Sequence, residues 1–305
     1  MLTCEDYHLP KDLKEALELW TSAPEGSRLV TGATDILPWA REGRAGDVHL
    51  PAVVDMSRVA ELTGYRIDGS KVRIGAALPY QRFLEDATLR RHLPCMPYCA
   101  VWFADDQIRQ QATLAGNIVN ASPAADGTPP VLAMNGEIEL ARLDNGELAM
   151  RKMAVADFVL GPGKTALAPR EIVTAVICDC MAGYGGSFEK VGQRRSLVIA
   201  TVCAVALVKT DAAGRNFEDV RLALGGIGPV PVRLDEVEAM LRGQPITRER
   251  IAEAAERPAD RVASRTRRNY RRRVVKGFVE AAILNALADC GVPVPGAAQR
   301  EPAHV

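Results

Sequence analysis

Alternating apolar and polar residues predict most of the β-strands in this chain of 305 residues. YRI and KVRIGA, joined through residues 68–69, predict a β-hairpin, and EIELARL and ELAMRKM flank a second hairpin turn at 144–146. Short strands are predicted in RLV and VVD. Three long strands are predicted further on, in EIVTAVICD, IATVCAVALVKT and DVRLALGGIG. The pattern indicates a large share of sheet.

Helices are predicted where apolar residues recur every three or four positions. Leu13, Leu17 and Trp20 share one face of a first helix, and the helical stretch DILPWARE has Pro38 near its first turn. PYQRFLED and LPCMPYCAVWFAD continue the helical pattern, and helices dominate from about Leu234 onward. Runs of strands followed by runs of helices favour an α+β protein over a doubly wound parallel sheet.

Two segments of small residues stand out from this pattern. ATLAGNIVNASPAADGTPP at 112–130 predicts neither a core helix nor a strand, but a stretch of exposed backbone. LVTGATDIL at 29–37 predicts a strand, a turn and a helix beginning near Asp35. Backbone N–H groups in such turns bind anions. One such turn alone would be interpreted as an ordinary loop, whereas two together suit a diphosphate.

Composition narrows the classes of partner. Lys and Arg together number 38, as do Asp and Glu, so the formal net charge is zero and gives no reason to expect nucleic acid or a membrane surface. No apolar run reaches the roughly 18 residues that span a bilayer. The acidic, amphipathic start is unlike a secretory signal, and these features predict a cytoplasmic protein. The basic run SRTRRNYRRRVVK is interpreted as a solvated or subunit-contacting face.

Several motifs with known chemistry do not fit. GPGKT at 161–165 lacks the first glycine of a P-loop, because position 158 is phenylalanine, and predicts a tight turn instead. A four-cysteine metal or iron–sulfur site would need Cys95 with Cys99 and Cys178 with Cys180. Neither pair has the usual spacing, so free thiols are favoured.

The two segments of small residues are similar to motifs of one protein family. LVTGATDIL and QIRQQATLAGNIVNASPAAD resemble segments of the FAD-binding (medium) subunit of the molybdenum hydroxylases, the xanthine dehydrogenase family. GPGKTAL with EIV, FEKVGQRR, RLALGGIGPVPVR and RVASRTRRNYRR resemble the same subunit in the same order. The likeness covers about residues 1–290, and GPGKT is most similar to bacterial xanthine dehydrogenase members.

The resemblance implies an α+β fold in two halves. The first is a two-part FAD-binding domain of the vanillyl-alcohol-oxidase (PCMH) type, expected at 1–55 and 56–170. The second is a C-terminal α+β domain of the CO-dehydrogenase flavoprotein type, expected at 171–290. A flexible tail is expected at 291–305.

The resemblance also implies which residues hold FAD, without a covalent bond. The first turn would bind the pyrophosphate through its backbone, and Thr113, Gly116 and Asn117 would contact phosphates and the adjoining sugar. Asp126 would lie by the ribityl hydroxyls, and Phe103 would stack on the isoalloxazine. The implied FAD-binding set is Leu29, Val30, Thr31, Gly32, Ala33, Thr34, Asp35, Ile36, Phe103, Thr113, Gly116, Asn117, Ser122, Asp126 and Lys190.

Three residues depart from the family pattern. Ala33 and Ala115 replace usual glycines, and Val198 stands where relatives often have an acidic residue. An alanine costs little where φ is negative, but it crowds the approach of a phosphate.

The function that the resemblance implies is electron transfer. A large subunit with a molybdenum cofactor would oxidise the substrate, and a small subunit with [2Fe–2S] clusters would pass electrons to the flavin. NAD⁺ or another acceptor would then receive them, and the expected assembly is a dimer of heterotrimers. No side chain is expected to act as an acid or base. Two alternatives stay open: a stand-alone flavin oxidoreductase with its own substrate, and a non-catalytic scaffold that has lost FAD.

Overall fold

The computed structural model describes residues 1–41, 48–194, 197–264, 266–292 and 294. The expected flexible tail therefore lies almost entirely outside the described residues. The strands are β1 (Leu2–His8), β2 (Arg28–Val30), β3 (Val48–Asp55), β4 (Tyr65–Asp68), β5 (Lys71–Gly75), β6 (Glu137–Asp144), β7 (Glu147–Ala154), β8 (Val159–Gly161), β9 (Lys164–Thr165), β10 (Ile172–Asp179), β11 (Gly185–Val191), β12 (Val202–Thr210), β13 (Phe217–Gly225) and β14 (Val232–Arg233).

The helices are mostly short, apart from a long last one. They are α1 (Leu13–Ser22), α2 (Ile36–Arg41), α3 (Arg82–Glu85), α4 (Ala87–His92), α5 (Met96–Trp102), α6 (Asp106–Arg109), α7 (Leu114–Val119), α8 (Thr128–Ala133), α9 (Val155–Phe158), α10 (Asp235–Leu241), α11 (Arg248–Glu256) and α12 (Arg268–Asp289). Among the helices that the structure describes, none has the length and apolar character needed to cross a membrane.

The first sheet is parallel, with β3 between β1 and β2 in the described part of the chain. Helix α1 begins at Leu13 because the Asp12 carboxylate accepts the Glu15 N–H at 2.9 Å, and the Glu15 carboxylate accepts the Lys11 N–H at 2.8 Å. Its Leu13 and Leu17 are buried between this sheet and the second one. The sequence does not predict β1, because it is an edge strand with largely exposed side chains and little apolar alternation.

The second sheet is antiparallel, in the order β4-β5-β10-β6-β7 within the described residues. Both predicted hairpins are confirmed, since β4 pairs with β5 and β6 pairs with β7 around the predicted turns. Strand β10 is central, between β5 and β6. It belongs to this sheet although it follows the boundary expected at residue 170. The second sheet therefore includes residues up to Asp179.

The third sheet, β11-β12-β13-β14 among the described residues, is antiparallel and carries α12 on β11 and β12. The predicted strands within 199–210 and 219–228 are confirmed as β12 and β13, and the helices expected from Leu234 onward are α10 to α12. The sequence does not predict β11, whose first two residues are glycines. Gly186 is needed there, because a Cβ atom would lie 2.4 Å from the backbone nitrogen of Cys95. Mixed sheets and helices confirm the α+β class.

The third sheet is joined to the first half by polar side-chain contacts. Arg221 on β13 donates from Nη1 to Asp179 Oδ2 at 2.6 Å, across the end of β10. Tyr98 on α5 donates to Asp289 Oδ1 at the end of α12 at 2.6 Å. The C-terminal half thus lies directly against the helices around the candidate site.

Candidate functional site

The first turn of small residues links β2 to α2. Leu29 and Val30 lie in β2 and pair with Val54 and Asp55 of β3, and α2 begins at Ile36, one residue after the predicted start. The other predicted residues of this segment, at 31–35, form the turn itself and are largely half-buried. Their backbone is thereby held between a strand end and a helix start.

Ala33 adopts a positive φ of 52°, in the left-handed region that alanine disfavours. Its carbonyl accepts the Leu37 N–H at 3.2 Å, which joins the turn to α2. The departure from glycine at this position therefore carries a conformational cost. Ala115 lies inside helix α7, where alanine is favourable, so the second departure carries none.

The two turns are in direct contact at Gly32. A Cβ atom on this residue would lie 2.0 Å from the carbonyl oxygen of Gln111 and 3.0 Å from the nitrogen of Ala112. Ala112 is the first residue of the second turn, and Gln111 immediately precedes it. Glycine is therefore required at position 32 for close approach of one turn to the other.

The second turn is more ordered and more buried than the sequence predicts. Instead of an exposed loop, residues 112–130 contain helix α7 and the start of helix α8, and most of these residues are buried. Thr113 caps α7, because its Oγ1 accepts the Gly116 N–H at 3.0 Å. The small residues that disfavour a long core helix permit two short ones packed closely together. Gly116 is the exposed residue at the start of this run.

Asn117 ties the second turn together. Its Oδ1 accepts the Tyr80 hydroxyl at 3.2 Å and the Gly127 N–H at 2.9 Å. Ser122 Oγ accepts the Ala124 N–H at 3.3 Å. These side-chain oxygens fix the loop between α7 and α8.

GPGKT lies against the same loop. Gly163 has a φ of 67° in the β8–β9 hairpin, which confirms the predicted tight turn. Its N–H donates to the Ala121 carbonyl at 3.0 Å. The segment therefore supports the second turn from outside.

Asp126 and Lys190 form a buried ion pair across the two halves of the chain. Lys190 Nζ on β11 donates to Asp126 Oδ2 at 2.6 Å and to the Trp102 carbonyl at 3.1 Å. The Asp126 side chain is 8% exposed and the Lys190 side chain is 1% exposed. Burial raises the pKa of Asp126 to about 6, an increase that the charge and hydrogen bond of Lys190 limit. Asp126 Oδ1 is buried and has no hydrogen-bond partner among the described residues.

Phe103 lies at the end of α5, next to the Trp102 carbonyl. Its ring stacks on Tyr80, with 4.0 Å between centroids and 8° between planes. The sequence does not point to Tyr80, because a single tyrosine before a helical stretch is usually a core residue. The structure thus gathers Phe103, Asn117, Asp126 and Lys190 around one buried tyrosine.

Metal binding finds no support in the part of the chain that the structure describes. No group of three or more His, Cys, Asp and Glu side chains is arranged to hold a metal there. All seven cysteines are free thiols, and Cys95, Cys99 and Cys178 are buried. Burial raises the pKa of each of these three thiols, as expected of inert core residues.

The residues present fit a cofactor with a diphosphate and a polyol. The contact at Gly32 brings two turns of small residues side by side, and Gly116 leaves the second turn open to solvent. The unpartnered Asp126 Oδ1 is an acceptor that a ligand hydroxyl would satisfy. The site is therefore chemically suited to FAD.

The fold defines the class of protein: a PCMH-type FAD-binding domain followed by a C-terminal domain of the CO-dehydrogenase flavoprotein type. Residues 3–178 match the family described as "FAD binding domain in molybdopterin dehydrogenase", and residues 187–286 match the "CO dehydrogenase flavoprotein C-terminal domain". The chain belongs to this family, as a flavoprotein subunit of xanthine and CO dehydrogenase-type molybdenum hydroxylases, which are oxidoreductases. The join between the two matched segments coincides with the end of β10.

Known proteins resemble the chain over nearly its whole length. It is 29% identical over 299 residues to the xanthine dehydrogenase FAD-binding subunit of Escherichia coli O157:H7, covering 95% of this chain and 99% of that one. It is 27% identical to the carbon monoxide dehydrogenase medium chain of Hydrogenophaga pseudoflava, over 82% and 84% of the two chains. The structure of carbon monoxide dehydrogenase from Hydrogenophaga pseudoflava lacking the Mo-pyranopterin moiety superposes with a TM-score of 0.83 at 25% identity, over 93% and 98%. The family resemblance is thereby confirmed.

Proposed function

We propose that the chain binds FAD non-covalently along the contact between its two turns and transfers electrons within a molybdenum hydroxylase complex. The observation that carries this proposal is the approach of Gly32 to Gln111, which leaves two amide-rich turns on one surface. Residues 31–35 would bind the diphosphate through backbone N–H groups, and Thr113, Gly116 and Asn117 would contact the phosphates and the adjoining sugar. Asp126 Oδ1 would accept a hydrogen bond from a ribityl hydroxyl, and Phe103 would stack on the isoalloxazine.

The chemistry would come from the cofactor, because FAD, when bound, exchanges electrons singly with iron–sulfur clusters and in pairs with a dinucleotide. The role of the chain is to bind and orient it. The aromatic pair and the buried helices α5 and α7 exclude water from one side of the site. Asp126 and Lys190 neutralise each other inside the protein, so the flavin would be held beside a pair without net charge.

A stand-alone flavin oxidoreductase is less well supported. Such an enzyme needs an acid or base within reach of its own substrate. Near Phe103, Asp126 and Lys190 are buried and paired with each other, and Arg109 donates to the Phe103 carbonyl. The two halves of the chain are also accounted for by family domains found in medium subunits.

We further propose that a large subunit with the molybdenum cofactor and a small subunit with [2Fe–2S] clusters are the partners, in a dimer of heterotrimers. NAD⁺ is the proposed electron acceptor. Support comes from similarity to the Escherichia coli xanthine dehydrogenase subunit and the Hydrogenophaga medium chain. A cytoplasmic location is proposed because all seven cysteines are free, as is usual in a reducing compartment.

Purification from the native source tests this function. We expect a yellow complex with one larger and one smaller chain, which contains molybdenum and iron and whose flavin absorbance is bleached by NADH without oxygen. A yellow monomer that oxidises a substrate alone would establish the stand-alone oxidoreductase instead. A colourless chain that does not take up added FAD would favour the scaffold.

A further inference from the structure

The Phe103 ring is backed by a second aromatic ring. Tyr80 stacks on it almost in parallel, at 4.0 Å between centroids. Tyr80 is fully buried, whereas Phe103 is half-buried. The accessible part of the Phe103 ring is therefore on the side away from Tyr80. A ligand ring that stacks on the exposed face of Phe103 would therefore lie against a ring whose orientation Tyr80 fixes.

Tyr80 is itself fixed from two directions. Its hydroxyl donates to Asn117 Oδ1 at 3.2 Å, and its ring meets Phe83 edge to face, with 5.8 Å between centroids and 73° between planes. Aromatic rings at such distances prefer defined offsets and angles. Tyr80 therefore links the Phe103 plane to the second turn through Asn117.

The backbone of Phe103 is also held on both sides. Lys190 Nζ donates to the preceding carbonyl, that of Trp102, at 3.1 Å. Arg109 Nη1 donates to the Phe103 carbonyl at 2.8 Å. Lys190 can be buried there because Asp126 compensates its charge at 2.6 Å. A lysine of the C-terminal sheet thereby fixes the end of α5 in the FAD-binding half.

We propose that Tyr80 and Lys190 are positioning residues for the flavin, Tyr80 by fixing the plane of the Phe103 ring and Lys190 by fixing its backbone. This role rests on the proposed placement of the isoalloxazine on Phe103. Both residues act through Phe103; Lys190, which the family resemblance also places in the FAD-binding set, does so through its bond to the Trp102 carbonyl. A ring held in advance in one orientation loses less freedom when the flavin binds, so stacking contributes more to affinity.

Two variants of Tyr80 separate the stack from the fold. Tyr80→Leu removes the flat face behind Phe103, and we expect the FAD dissociation constant of the purified complex to rise by about threefold to tenfold. The visible circular dichroism and the midpoint potential of the bound flavin should shift with it. Tyr80→Phe keeps the stack and loses only the bond to Asn117, so its flavin spectrum should remain that of the wild type. Identical flavin properties in the Leu and Phe variants would overturn the role of Tyr80.

Lys190→Met removes the bond to the Trp102 carbonyl and should change the same three flavin properties. Lys209→Met is the matched control, since Lys209 is a partly exposed lysine on the adjacent strand β12. If Lys190→Met fails to fold because Asp126 is left buried and unpaired, the double variant Asp126→Asn/Lys190→Met removes both charges. Because Asp126 is also the proposed ribityl ligand, the double variant is compared with Asp126→Asn alone, and identical visible circular dichroism in the two would overturn the role of Lys190.

Phe103→Leu distinguishes this role from the placement of the cofactor. If Phe103→Leu leaves the flavin spectrum and potential unchanged, FAD does not stack there and the proposed site is wrong. If Phe103→Leu changes them while Tyr80→Leu and Lys190→Met do not, the site stands and the positioning role is refuted. Parallel changes in all three variants support both the placement of the isoalloxazine on Phe103 and the positioning role of Tyr80 and Lys190.

Discussion

Replacing Gly32 by alanine tests the contact on which the proposed FAD site depends. The added Cβ atom would lie 2.0 Å from the Gln111 carbonyl oxygen and 2.5 Å from its carbon. The first distance is roughly 1.5 Å shorter than ordinary van der Waals contact. Both obstructing atoms belong to the backbone, so no side chain can rotate away. The two turns must separate to accommodate the methyl group.

The expected cost follows from this geometry. Overpacking a well-packed position costs about 1 to 3 kcal/mol, and the rigid neighbours at Gln111 place Gly32→Ala at the upper end. A loss of about 3 kcal/mol corresponds to a decrease of about 5 to 10 °C in melting temperature. Because the turns that would hold the diphosphate move apart, we expect FAD to bind at least about tenfold more weakly.

Gly116→Ala is the matched comparison. Its Cβ atom would meet only the Thr113 hydroxyl, at 3.1 Å, and Gly116 is an exposed position in helix α7. Alanine should therefore keep or raise the stability of the FAD-free chain, by up to about 1 kcal/mol. A methyl group on the surface that faces a phosphate should nevertheless weaken FAD binding. Loss of affinity without loss of stability is the expected signature.

Thermal unfolding of the FAD-free chains and fluorescence titration with FAD measure the two effects separately. A melting temperature of Gly32→Ala equal to wild type would refute the contact between the turns. Unchanged FAD affinity in Gly116→Ala would show that no phosphate approaches the second turn. Substitution of either glycine by valine should enlarge each effect.

Three further substitutions test the structure elsewhere. Ala33→Gly relieves an alanine held at a φ of 52° and should stabilise the chain by about 1 kcal/mol in thermal unfolding. Equal melting temperatures of the variant and the wild type would show that there is no strain at this residue. Asp179→Asn should cost about 2 kcal/mol at pH 7, because the carboxylate loses charge-assisted bonds such as that from Arg221. Burial alone would raise the pKa of Asp179, but these bonds lower it from 3.8. The Asp179 carboxylate therefore contributes to the free energy of unfolding above pH 3.8, and this stabilisation is lost as pH falls through the lowered pKa. Urea titrations of the two proteins should converge at acidic pH, and a gap that persists there would contradict this origin. Gly186→Ala should lower the free energy of unfolding in urea by about 2 kcal/mol, because its Cβ atom would lie 2.4 Å from the Pro94 carbonyl carbon. An unchanged urea midpoint would contradict that close packing.

Local patterns predict much of the fold because hairpins and capped helices are encoded by neighbouring residues. The turn at 144–146 has asparagine and glycine at positive φ, and the start of α1 has a carboxylate cap, so both follow from a few adjacent positions. Strands β1 and β11 are missed because tertiary neighbours create them. β1 is a largely exposed edge strand, and β11 begins with two glycines that face the end of α12 at Gly185 and the residues just before α5 at Gly186.

The individual residues of the candidate site are predictable from the sequence, but the contacts between them are not. The sequence and the family resemblance name Gly32, Asn117, Asp126 and Lys190 as separate positions. Their contacts depend on segments far apart in the chain, which no local spacing encodes. Tyr80 gives no sequence signal, since only the folded chain brings it behind Phe103. The cost at Ala33 likewise depends on a φ value that the turn imposes.

The ion pair between Asp126 and Lys190 restricts how the two halves of this chain can be exchanged during evolution. The halves match separate families and look like independent modules, but a buried charge on each is balanced only by the other. A first half joined to a C-terminal half without a lysine at the position of Lys190 would keep a carboxylate sealed from water. Such a hybrid would be destabilised unless both residues changed together.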